Sequence, residues 1–61
     1  MSYFVVEHAY KGYPMFETIT GVEDVNLDLF PEFKTLWVCE NLGEVTAVEN
    51  ELRRKHSARS S

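Results

Sequence analysis

The chain of 61 residues carries six Lys and Arg against ten Asp and Glu, net −4 with His neutral, and 44% of it is hydrophobic. This length gives one domain close to the lower limit for folding unaided, since such a domain buries only about 60% of the surface its unfolded chain exposes. With Cys39 as the only cysteine an intramolecular disulfide is excluded, and no Cys/His spacing offers four zinc ligands.

Stability must therefore come from packing or from a second copy. Eight aromatics, Tyr3, Phe4, Tyr10, Tyr13, Phe16, Phe30, Phe33 and Trp37, are too many large rings for a disordered acidic chain. The apolar runs are too short to span a bilayer, and Met1-Ser2-Tyr3 lacks the basic and apolar stretches of a signal peptide. No membrane association and a cytoplasmic location are expected. One unpaired thiol agrees with a reducing compartment.

From Tyr3 to Tyr10 the chain is rich in strand formers, with the polar Glu7 and His8 arriving near the end. Lys11-Gly12-Tyr13-Pro14 then holds the first Gly and Pro, which predicts a reversal of four residues. Met15 to Thr20 supplies a second β-rich run, so an antiparallel hairpin is expected.

Val22 to Glu32 fits a helical i, i+3, i+7 spacing and a strand alternation equally well. Thr20 followed by Glu23 has the form of a capping box, and Pro31 ends either structure, so a helical turn or loop is expected. Phe33 to Glu40 contains the unbroken apolar run Leu36-Trp37-Val38-Cys39. That run predicts a third strand at the centre of the core.

The last element is the clearest. Asn41 with Glu44 three residues on reads as a helix cap, and Val45, Val48 and Leu52 make one apolar stripe. A helix from Leu42 to about His56 follows, with Glu49–Arg53 and Glu51–Lys55 as i, i+4 pairs. The predicted fold is α+β: a small three-stranded antiparallel sheet with one C-terminal α-helix packed on one face. Residues 1–56 form the single domain, and 57–61 a disordered polar and basic tail.

Charge is divided by position. Up to Glu51 ten carboxylates face Lys11 and Lys34, a balance of −8, whereas the last ten residues carry Arg53, Arg54, Lys55 and Arg59, a balance of +4. Such a field directs partners and encounter rates rather than the fold.

Glu23, Asp24, Asp28, Glu32, Glu40 and Glu44 are the acidic candidates for contact with a basic surface, set against the blander role of keeping a small domain soluble. Tyr10, Lys11 and Tyr13 at the hairpin turn have the composition of a contact hot spot, or else fold back as an aromatic lid. Arg53, Arg54, Lys55 and Arg59 are the nucleic-acid alternative, weakened because a helix macrodipole already favours cations in its last turn and the chain is acidic overall.

Cys39 inside an apolar strand is expected to be a buried, inert thiol with a raised pKa; pairing with His8 for nucleophilic work lacks any oxyanion device nearby. His56 reads as a further C-terminal cation. No calcium-loop spacing is present. No cofactor, metal or catalytic set is expected.

A single helix covers one side of a sheet, so apolar residues on the other are expected to meet a partner or a second copy. The leading functional expectation is a non-enzymatic protein-binding module, an inhibitor or regulator of a basic partner or a nucleic-acid mimic. Nucleic-acid binding through the basic C-terminal helix end and a structural homo-oligomer subunit, such as a homodimer, are the alternatives. Short acidic domains of this kind are similar in character to phage-encoded modulators of host enzymes, an analogy of composition with no motif behind it.

Overall fold

A computed structural model describes the backbone of residues 2–60 and the side chains of residues 2–57. Strand β1 spans Tyr3–Tyr10, β2 Tyr13–Ile19, β3 Thr35–Cys39, and helix α1 Leu42–Ser60. The strands form one antiparallel sheet in the order β2-β1-β3, with α1 packed against it. The expected α+β architecture is thus the observed one. No helix among the described residues is long and apolar enough to cross a membrane.

The hairpin is tighter than expected. Tyr10 pairs with Tyr13, leaving Lys11 and Gly12 as a two-residue turn with φ of 51° and 80°. Two successive positive φ values give the turn whose twist matches the strands, and Gly12 takes the second without strain. Pro14 consequently lies inside β2 rather than in the connection. Alternation from the closing pair puts it at a non-hydrogen-bonded position, where the missing N–H faces the open edge.

The sheet's centre is β1, not β3. An apolar run marks a strand as half or fully buried but does not name its neighbours, and here hairpin closure sets β2 on one flank of β1 and antiparallel return sets β3 on the other. Val5 and Val6 of β1 are fully buried, each worth roughly 1.5 to 3 kcal/mol, whereas Val38 of β3 is 60% exposed.

On the helix side, Val5 and Cys39 pack with Val45 and Leu52, flanked by Tyr3, Phe16, Trp37 and Val48. The predicted stripe is the one α1 buries. Its start is fixed by Asn41, whose Oδ1 accepts from the Glu44 N–H at 2.9 Å, while Glu44 Oε2 reaches back to the Glu40 N–H at 2.9 Å. At the other end α1 runs past His56 to Ser60. Most of the expected 57–61 tail falls beyond the described side chains.

The opposite face is also covered, which corrects the expectation of an open one. Phe4, Val6 and His8 point to that side and are all buried. The long connection after β2 lies across it: Phe30 meets the His8 ring edge-on at 5.1 Å, Pro31 O accepts from Ala9 N at 3.3 Å, and Lys34 N donates to Glu7 O at 2.8 Å. Its only regular structure is a 3-10 turn at Leu27–Leu29, capped by Asn26 Oδ1. The Thr20–Glu23 capping box goes unused, because Gly21 turns the chain at φ 77° and no helix begins there.

Candidate functional site

The acidic residues named from sequence fall into separate groups. Glu23 and Asp24 lie where the covering segment leaves β2, beside Ser2, with which Glu23 lines a shallow depression. Asp28 sits in the 3-10 turn at mid-segment. Glu32, at φ 51°, reaches the hairpin tip and accepts from the Gly12 N–H at 3.1 Å. Glu40 and Glu44 stand at the far end of the sheet, beyond the Tyr3–Cys39 pair. Glu44 is occupied there with the helix start.

All six are exposed, and none of them has an ion-pair partner among the described residues. Between them the same segment exposes Val22, Leu27, Leu29 and Phe33, with Leu29 at 72%. Apolar side chains interleaved with unneutralised carboxylates make this segment unlike a purely solvating acidic surface.

Tyr10 and Tyr13 are exposed, Tyr13 at 72%, so they form no lid over the hairpin. The Lys11 ammonium lies 5.4 Å from the Tyr10 ring centroid, within cation–π range. Because Glu32 bonds to the turn itself, the Glu32 end of the covering segment adjoins the aromatic tip.

The basic group is less free than its sequence implied. Lys55 does not pair with Glu51; its Nζ lies 2.9 Å from Oε2 of Glu7, and His56 Nε2 is 3.4 Å from the same oxygen. His56 is therefore no simple terminal cation, and Phe16 stands beside it with ring centroids 6.0 Å apart. Arg53 keeps the expected Glu49 pair at 4.0 Å and lies over the Phe16 ring. Glu49 is held in turn by the Thr18 hydroxyl. Arg54 is exposed. The side chain of Arg59 lies outside the described residues.

Glu7 is the residue that sequence reasoning missed. Noted in the sequence only as a polar residue near the end of the first strand, it is 2% exposed. Burial alone would push its pKa up. Hydrogen bonds from Lys55 and His56, together with their charges, outweigh that and hold the carboxyl below its ordinary value. Strand alternation offered the one available signal, since Glu7 shares a face with Tyr3 and Val5.

His8, its neighbour, points into the opposite layer and is 5% exposed, and neither ring nitrogen has a hydrogen-bond partner among the described residues. Cys39 opposes Tyr3 on the helix side and so cannot meet His8. Burial, with the charge of Glu44 adding to it, raises the Cys39 thiol as expected. Among the described residues no three His, Cys, Asp or Glu gather as a metal site. Comparison with protein-family models, with curated proteins and with solved structures gives no match.

Proposed function

We propose that this chain is a non-enzymatic protein-binding module that docks on a basic surface of another protein and regulates or inhibits it. The observation that carries this reading is the covering segment. Glu23, Asp24, Asp28 and Glu32 stand there without ion pairs among the described residues, beside exposed Leu29 and Phe33, and Glu32 adjoins the Tyr10–Tyr13 tip. Long-range attraction from the carboxylates would steer the encounter, and the apolar and aromatic side chains would supply contact energy on docking. Cytoplasmic residence belongs to the same reading.

The basic helix end supports nucleic-acid binding less well, because Lys55 is spent on Glu7 and Arg53 lies beside Glu49. The test is capture from a lysate by the immobilised chain, beside a variant carrying Glu23→Gln, Asp24→Asn and Asp28→Asn. Basic proteins retained by the wild type should be lost by the variant, and retention should fall as salt rises toward about 0.5 M, where the screening length drops below roughly 5 Å. Capture that is equal for both, or indifferent to salt, overturns the proposal.

A further inference from the structure

The sheet's two edges are defended differently. On β2, Pro14 and Glu17 interrupt the outer edge, in the manner by which proteins discourage strand addition. On β3 the edge reads Thr35-Leu36-Trp37-Val38-Cys39, with no charge, proline or glycine. Hydrogen bonding alternates along antiparallel strands, so the Tyr10–Tyr13 closing pair assigns the even-numbered residues of β1 to β2.

Tyr3, Val5 and Glu7 then bond toward β3, against Cys39, Trp37 and Thr35. The peptide groups of Leu36 and Val38 are left pointing outward. Among the described residues no loop or turn hydrogen bond uses them. Beside them Val38 is 60% exposed although apolar and β-branched.

We propose that β3 pairs antiparallel with β3 of a second copy about a two-fold axis at Trp37, joining two sheets into one of six strands. In this register Leu36 lies opposite Val38 of the second copy, so the outward donors and acceptors satisfy one another and Val38 is covered. Lys34 comes opposite Glu40 of the second copy, twice by symmetry. Both residues are exposed and have no ion pair among the described residues.

Charge selects this register over its neighbours. A slip of two residues one way sets Lys34 against Val38, and the other way sets Glu40 against Leu36, with the ion pairs lost in both. The surface differs from the acidic segment, so the inference goes beyond the proposed function and stands or falls separately from it.

Sedimentation of the full chain from about 10 µM to about 1 mM tests it. Mass should rise from 7.1 kDa toward twice that value with concentration, since a short strand pair falls at the weak end of specific interfaces. Val38→Pro removes an outward N–H that β1 does not use and should abolish the dimer. Val38→Lys keeps that N–H but sets a charge against Leu36 of the second copy at a position already exposed, and should also abolish the dimer, should the proline variant not fold.

Lys34→Glu and Glu40→Lys should each weaken association by about tenfold or more, two like-charge contacts replacing two favourable ones, and their combination should restore it. A 7.1 kDa species at every concentration overturns the proposal. So does a dimer indifferent to both Val38 variants, or a double charge variant no better than the single ones.

Discussion

Lys55→Met and Glu7→Leu act on the two sides of the cluster in which Lys55 and His56 share the buried Glu7 carboxylate. Lys55→Met keeps the aliphatic stem but deletes the ammonium 2.9 Å from Glu7, whose side chain is only 3% exposed. Losing one partner of a fully buried pair costs about 3 to 5 kcal/mol. Lys55 is 53% exposed, so water already screens the pair, and His56 stays 3.4 Å from the same oxygen, so the cost should shrink to about 1 to 2 kcal/mol. Out of a total near 3 to 5 kcal/mol for a core of this size, that is a large loss.

Glu7→Leu instead removes the desolvated charge, adds an apolar side chain opposite Phe16 and frees Lys55 to solvent, so stability should change by no more than about 1 kcal/mol. Urea unfolding followed by Trp37 fluorescence and circular dichroism at pH 7 should rank Lys55→Met below Glu7→Leu. Acid adds a second readout, because the Glu7 carboxyl sits below its ordinary value of 4.5 in the folded chain. A carboxyl lowered by folding contributes stability that is complete above the unfolded value and disappears as pH drops through the folded one. Wild type should therefore lose ground to Glu7→Leu below about pH 4.5. A wild-type midpoint for Lys55→Met, or a difference from Glu7→Leu that stays flat on acidification, refutes the reasoning.

Other substitutions probe the fold at single points. Asn41→Ala deletes the acceptor for the Glu44 N–H and should cost about 1 kcal/mol, lowering the thermal midpoint by roughly 4 to 8 °C. Gly12→Ala meets no atom within 4 Å but must hold φ at 80°, so its cost of about 1 kcal/mol is backbone strain alone, and Gly12→Asn should recover most of it in the same melt. His8→Leu replaces two buried nitrogens lacking partners by carbon and should be neutral or stabilising by about 1 kcal/mol in urea. A loss larger than that would show that the imidazole has a role its surroundings do not disclose.

What was legible in the sequence is what short-range chemistry dictates. A run of aromatic and β-branched residues made β1, Gly12 made the reversal, and Asn41 with Glu44 set the start of α1; all of these act within a few residues. Strand order was not legible, because the apolar pattern of Leu36 to Cys39 is the same for a central strand as for an edge strand under a helix. The burial of Glu7 was hidden for a related reason, its partner being 48 positions away on another element. The cover over Phe4, Val6 and His8 escaped because Val22 to Glu32 fits two periods equally well and so points to neither, and irregular chain is held by scattered backbone bonds. Within the candidate site the carboxylates and the Tyr10–Tyr13 tip were named, but the exposure of Leu29 and Phe33 beside them was not, and the meeting of Glu32 with the tip depends on one long-range bond from Gly12.

That geometry also changes the weight of the charge division. By sequence the cationic end equals half the charge of the acidic body and competes with it as a binding feature. Folding turns Lys55 inward to Glu7 and sets Arg53 beside Glu49, while Glu23, Asp24, Asp28 and Glu32 gain no ion pair among the described residues. The negative surface is thus kept nearly whole and the positive one is partly spent on structure. Glu7 joins the two, since its carboxylate holds α1 while its carbonyl accepts the N–H of Lys34 at the end of the covering segment. Lys55 and Arg53 are held by carboxylates of the fold, whereas the exposed carboxylates around Leu29 and Phe33 accept at most a backbone N–H, as Glu32 does from Gly12, and meet no cation among the described residues; on that asymmetry the functional reading stands.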